Sequence, residues 1–133
     1  MANPVVHFEI FVDDLERAKK FYTDVLGWAF SFVKEMNYTL VYPGGEITQG
    51  PAKVGINGGM ALRQGPVPQI KKGPPNAFVC TIGGDDIDAV LAKVEPNGGT
   101  IDMPVDTIPG IGRIAYIRDP EFNMVGLLQP IMQ

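Results

Sequence analysis

The chain has a single cysteine, Cys80, a single histidine, His7, and a single tryptophan, Trp28, in 133 residues. One cysteine excludes an internal disulfide and fits a reducing cytoplasm, the expected location. With one histidine, any imidazole-based acid–base chemistry or ligation must use His7. Cationic residues are also scarce: 11 Lys and Arg stand against 15 Asp and Glu, giving a net charge of −4. That balance excludes a phosphate backbone as the main partner, because nucleic-acid binding requires a basic surface. Lys71-Lys72 is an isolated basic pair in a loop. No apolar run approaches a membrane span, and Met1-Ala-Asn-Pro-Val-Val6 lacks the basic and apolar stretches of a secretory signal. The expectation is therefore a protein bound to neither nucleic acid nor membrane.

What the chain does have is an internal repeat. His7-Phe-Glu-Ile-Phe-Val-Asp-Asp-Leu15 recurs in pattern as Val79-Cys-Thr-Ile-Gly-Gly-Asp-Asp-Ile87, 72 positions later. In the first copy, Val5–Val12 reads as a strand with Phe8, Ile10 and Val12 on one face and His7, Glu9 and Phe11 on the other. Asp13 is placed to cap a helix, with Glu16 completing a capping box. The helix carries Leu15, Ala18, Tyr22, Val25 and Leu26 on its apolar face and stops at Gly27. Strands are expected at Ala29–Val33, Tyr38–Tyr42 and Gly58–Leu62, punctuated by Pro43-Gly44-Gly45.

The second copy repeats the order. A strand is expected at Ala77–Ile82, then a helix capped by Asp85 and running to about Glu95, then strands at Thr100–Met103, Ile114–Ile117 and Met124–Leu128. Each copy reads as β-α-β-β-β, an α+β arrangement. Residues 1–62 form the first unit, the Pro- and Gly-rich stretch 63–76 a linker, and residues 77–133 the second unit of a single domain. Neither unit alone closes a core, so the two are expected to pack together or to pair with another chain.

Several residues carry readings of their own. Cys80 is expected to be buried and structural, packed with Phe78 and Ile82. Gly83-Gly84 reads as a kink or bulge. Gly58-Gly59 and Gly98-Gly99 lack the strand–turn–helix context of a dinucleotide fingerprint. The Asp13-Asp14 and Asp85-Asp86 pairs have a sufficient role at helix starts. Tyr42 and Trp28 fit core or wall positions.

The words of both copies together resemble the vicinal oxygen chelate superfamily of glyoxalase I, bleomycin-resistance proteins and extradiol dioxygenases. The resemblance rests on His7 to Tyr22, Val25-Leu-Gly-Trp28, Gly55-Ile-Asn-Gly-Gly-Met60, Asp85-Asp-Ile-Asp-Ala89, Asn97-Gly-Gly99 and Asp119-Pro-Glu-Phe-Asn-Met-Val-Gly-Leu-Leu-Gln129. It is nearest the small glyoxalase-like proteins of bacteria and covers essentially the whole chain. It implies half-barrel units that pair around a ligand cup, and commonly a homodimer. Phe122 departs from the glycine usual in that turn.

The resemblance also implies a divalent metal held by a histidine on the first strand and a carboxylate on the last strand of each unit. His7 fills the first position. Its counterpart is Val79, the last-strand position falls at Gly126, and Val54–Leu62 contains no Asp or Glu. One imidazole does not hold a catalytic metal, which needs about three protein ligands. Glu9, Glu46 and Asp102 would be the carboxylates available for recruitment. The expected cofactor is therefore none, and the expected partner is a small molecule. Candidates to line its cup are His7, Glu9, Phe11, Tyr38, Val79, Thr81, Arg113, Tyr116, Met124 and Gly126, with Arg113 able to meet an anion.

Four functions stay open from these residues. A metal-free module binding a small, partly apolar molecule comes first. A metal-dependent lyase, isomerase or dioxygenase, a metal-free enzyme using His7 and Glu9 as an acid–base couple, and a purely structural role are the others.

Overall fold

Two four-stranded sheets, each with one helix, follow from the repeated pattern. The computed structural model describes residues 2–50, 52–65 and 77–131. The chain divides into two compact units, Met1–Val67 and Pro68–Gln133. The first contains β1 (Phe8–Val12), α1 (Leu15–Leu26), β2 (Ala29–Val33), β3 (Tyr38–Tyr42) and β4 (Gly58–Leu62). The second contains β5 (Thr81–Gly83), α2 (Ile87–Val94), β6 (Thr100–Ile108), β7 (Gly112–Arg118) and β8 (Met124–Pro130). The sheets run β1-β4-β3-β2 and β5-β8-β7-β6, so the first and last strands of each unit are neighbours. That pairing is parallel in both units, and every other pairing is antiparallel.

In the first unit α1 covers the face carrying Phe8, Ile10 and Val12. Val12, Ala18, Phe21, Val41 and Met60 are wholly buried, and Tyr22, Val25 and Trp28 nearly so. Phe21, absent from the expected apolar face, packs edge-on to Tyr22 at 5.1 Å. Tyr22 in turn stacks on Trp28 at 4.6 Å, and Phe8 lies 5.9 Å from Trp28. Each such aromatic pair adds about 1 kcal/mol beyond the area it buries. Gly27 ends the helix in the left-handed region, φ 74°, as its position after Leu26 predicts.

The caps sit one residue later than expected. Asp14, not Asp13, accepts from the Arg17 N–H at 3.1 Å, and Asp86, not Asp85, accepts from the Ala89 N–H at 3.1 Å. Glu16 is therefore not the third residue of a box. Asp13 instead makes an ion pair with Arg63 at 3.3 Å. Asp14→Ala is expected to cost about 1 kcal/mol in urea denaturation. No loss would mean that Asp14 is not the working cap.

Strand ends also differ. β1 starts at Phe8 rather than Val5, and β5 is only Thr81–Gly83 rather than Ala77–Ile82. Cys80 therefore lies before the strand and is exposed, and Phe78 is fully exposed, which overturns the buried reading of Cys80. Gly83 pairs regularly with Leu128, and the Gly84 N–H donates to the Leu128 carbonyl. The register shifts fall in β6 instead, between Ile101 and Met103 and between Met103 and Asp106. β6 runs on to Ile108, well beyond the expected Met103. Of the expected linker, residues 66–76 lie outside the described residues. Arg63, at its start, is anchored on β1, donating to the Phe11 carbonyl at 3.0 Å.

Candidate functional site

Strand alternation and register decide which side chains share the face of the first sheet turned away from α1. Glu9 is opposite Gly59, and Gly59 is opposite Leu40. Parity places Phe11, Ala61 and Tyr38 on that same face. His7, one residue before β1, continues the alternation and is exposed.

Three polar groups meet there. His7 Nε2 lies 3.0 Å from the Tyr38 hydroxyl, with the two rings nearly parallel at 6.4 Å. Glu9, opposite Gly59, stands beside the same hydroxyl and acts on it electrostatically. Gly59 makes this possible: a Cβ there would fall 1.7 Å from Tyr38 Oη and 1.9 Å from Cζ. The phenol thus lies across the bare backbone of β4.

Burial raises the pKa of Tyr38, and the neighbouring Glu9 carboxylate pushes it further, to about 12. The phenol therefore stays neutral and available as a donor. The shift favours the folded state up to pH 10, where a free phenol titrates, and that contribution fades as the pH rises towards 12.

In the second unit Thr81, Gly126 and Tyr116 are register partners, the counterparts of Glu9, Gly59 and Leu40. Met124 shares this face by parity and Met103 by pairing with Tyr116. Gly126 is again covered: a Cβ would meet Thr81 Oγ1 at 2.9 Å and Tyr116 Cε1 at 3.2 Å. Val79 lies before β5, outside any strand.

Arg113 does not belong to this set. It is paired with α2 on the opposite face, donating to both Asp88 oxygens at 2.8 and 3.0 Å. Those bonds hold the Asp88 carboxyl below its ordinary range and raise the guanidinium. An anion-binding role for Arg113 is therefore withdrawn. Its parity with the buried Ala115 and Ile117 was the available signal.

Sequence reasoning named His7, Glu9 and Tyr38 but treated Tyr38 as a wall residue. Its contact with His7, 31 residues away, depends on the pairing of β1 with β4 and β4 with β3, which no local pattern supplies. The ion pair of the buried Arg118 with the exposed Asp102, at 3.2 Å, was also missed. It commits one of the carboxylates held available for a metal, while Glu46 is exposed in a loop.

The metal positions implied by the resemblance do not fit a metal here. The space that a last-strand side chain would need at Gly126 is taken by Thr81 and Tyr116, and at its counterpart Gly59 by Tyr38. Among the described residues no group of three or more His, Cys, Asp or Glu is placed to hold an ion. Among them, too, no helix is long and apolar enough to cross a membrane.

Comparison with known proteins agrees with the fold. Residues 5–44 match the family model for bleomycin resistance protein-like N-terminal regions. The lactoylglutathione lyase of Haemophilus influenzae is 30% identical over 121 residues, 88% of this chain and 85% of that protein. A Mycobacterium bovis protein named "Putative glyoxylase CFP32" is 36% identical over 117 residues, 87% of this chain. The chain spans only 41% of that relative's length. Among solved structures, the fosfomycin resistance protein FosX of Listeria monocytogenes superposes with a TM-score of 0.71 at 14% identity, covering 99% of this chain and 94% of that one. Two β-α-β-β-β units, the bleomycin-resistance match and the near full-length lyase relative converge: the chain belongs to the glyoxalase and bleomycin-resistance-like proteins of the vicinal oxygen chelate superfamily.

Proposed function

We propose that this protein binds a small, partly apolar molecule on the open face of the first sheet, without a resident metal. One observation carries the reading: the hydrogen-bonded His7–Tyr38 pair lies over Gly59 with Glu9 beside it, bordered by Phe11, Leu40 and Ala61. A few placed polar groups against apolar neighbours are what orients a small ligand. The donor set argues for the metal-free form, since glycines occupy the two positions where a carboxylate would be needed.

The test is elemental analysis and native mass spectrometry on protein purified without a metal-affinity tag, followed by a thermal-shift screen of small aromatic and aliphatic compounds. A compound at 100 times its Kd stabilises by about 2.7 kcal/mol, raising Tm by about 10 °C in a chain of this size. The reading expects such a compound, with the shift reduced in both Glu9→Gln and Tyr38→Phe. About one transition metal per chain, lost in His7→Ala, would sink the metal-free form. No stabilising compound and no co-purifying molecule would sink the binding role.

A further inference from the structure

We propose that β2 is a pairing edge for a second copy of this chain: the Ala29–Val33 strands of two molecules align antiparallel about Ser31 and join their first sheets into one. The pairing stands apart from the binding role above and does not depend on it.

An edge strand turns the N–H and C=O groups of every second residue outward, and folded proteins guard such edges with charge, proline, shortness or a bulge. The two sheet orders leave β1, β2, β5 and β6 at edges. β6 contains Asp102, Pro104 and Asp106 and shifts register twice. β5 is only three residues long. β1 carries the Glu9 charge and is also capped from the side. The Arg63 N–H donates to the Val12 carbonyl, continuing the ladder, so by alternation the Phe11 carbonyl faces outward. The Arg63 guanidinium closes on that carbonyl at 3.0 Å.

β2 has none of these devices. Ala-Phe-Ser-Phe-Val holds no charge and no proline, and its register with β3 is unbroken from Ala29 opposite Tyr42 to Val33 opposite Tyr38. Among the described residues its backbone partners all lie on β3. Phe32 is 54% exposed.

The partner is a second copy because the strand reads nearly alike in both directions, as apolar, Phe, Ser, Phe, apolar. Alignment about Ser31 sets Phe30 opposite the partner's Phe32, and Ala29 opposite the partner's Val33, each twice over. Phe30 and Phe32 pair in register with the buried Val41 and Thr39, so both lie on the α1 side of the sheet. Two cross-strand Phe–Phe pairs therefore form on that side and cover the exposed ring, while the two Ser31 hydroxyls meet on the other. Charges also agree: Lys34 falls opposite the partner's Trp28 and Glu35 opposite the partner's Gly27, so no like charges meet. A two-fold contact of this kind is closed, and pairing stops at two copies.

The test is a disulfide trap in the full chain, with the exposed Cys80 changed to serine. Ser31→Cys places the two thiols directly opposite, their Cβ atoms about 5 Å apart, and mild oxidation should give a covalent dimer. Val33→Cys and Ala29→Cys should each fail alone, because like positions lie about 13 Å apart along the strands. Mixed together, those two variants should link to each other. Sedimentation of the unaltered protein over a concentration series should reach twice the mass of one chain. Ser31→Lys sets like charges face to face and should return the monomer, with the circular dichroism spectrum unchanged. Linking of Val33→Cys as fast as Ser31→Cys, a monomer at every concentration, or a dimer that survives Ser31→Lys would each overturn the pairing.

Discussion

Asp119→Ala is expected to lower the unfolding free energy by about 3 kcal/mol, because two backbone N–H groups lose a charged acceptor. Asp119 is 2% exposed. One carboxylate oxygen accepts from the N–H groups of Glu121 and Asn123, both at 2.8 Å, and the other from the Asn123 side chain at 3.1 Å. The turn it organises joins β7 to β8, and within it Phe122 adopts φ 67°. A phenylalanine there bears a left-handed strain of about 1 kcal/mol that glycine would not. The turn tolerates it because the Phe122 N–H donates to the Asp119 carbonyl and the Phe122 carbonyl accepts from Arg118. Asp119→Asn should cost only about 1 kcal/mol: it keeps the oxygen facing the backbone and loses only the acceptor facing Asn123. Urea midpoints of both variants check this; equal losses would show that the side-chain bond, not the backbone pair, dominates.

Gly59→Ala is the substitution expected to damage the site most. The new methyl would occupy the position of the Tyr38 phenol, with Oη 1.7 Å away. The tyrosine end is the part that yields, so the ring should leave the sheet face and break its bond to His7. Overpacking of this kind costs about 2 kcal/mol. Tyr38→Ala in the Gly59→Ala background removes the colliding ring, so the double variant should be more stable than the sum of its single losses predicts. Strict additivity would mean that the two residues do not compete for one space.

Much of the architecture is legible from local pattern. Ala29–Val33, Tyr38–Tyr42 and Gly58–Leu62 begin and end where alternation and turn residues place them. The helix caps were ambiguous because each Asp-Asp pair offers two acceptors, and only backbone geometry chooses: Asp14 has an extended φ of −129°. β5 was overdrawn by analogy with β1, since the actual pairing with β8 covers only Thr81–Gly83. Arg113 was expected just ahead of a strand at Ile114–Ile117; β7 begins at Gly112, and alternation then sets Arg113 on the face opposite Tyr116. For the site, the residue types were visible and their connection was not. His7, Tyr38 and Glu9 meet only through the pairing of β1 with β4 and β4 with β3, which is tertiary information.

That pairing also orders events in time. β2, β3 and β4 are joined by antiparallel contacts, and the β2–β3 turn closes over a few residues, with Val33 opposite Tyr38. β1 must wait for a partner about 50 residues away, Phe8 against Gly58. Closing a loop of that length carries an entropic toll of about 3.5 kcal/mol by the logarithmic scaling, and non-local pairings of this kind are the slow ones. His7 and Glu9 arrive with β1, whereas Tyr38 and Gly59 belong to the hairpin already formed. The cluster is therefore completed by the same closure that completes the sheet, and only a fully folded first unit presents it.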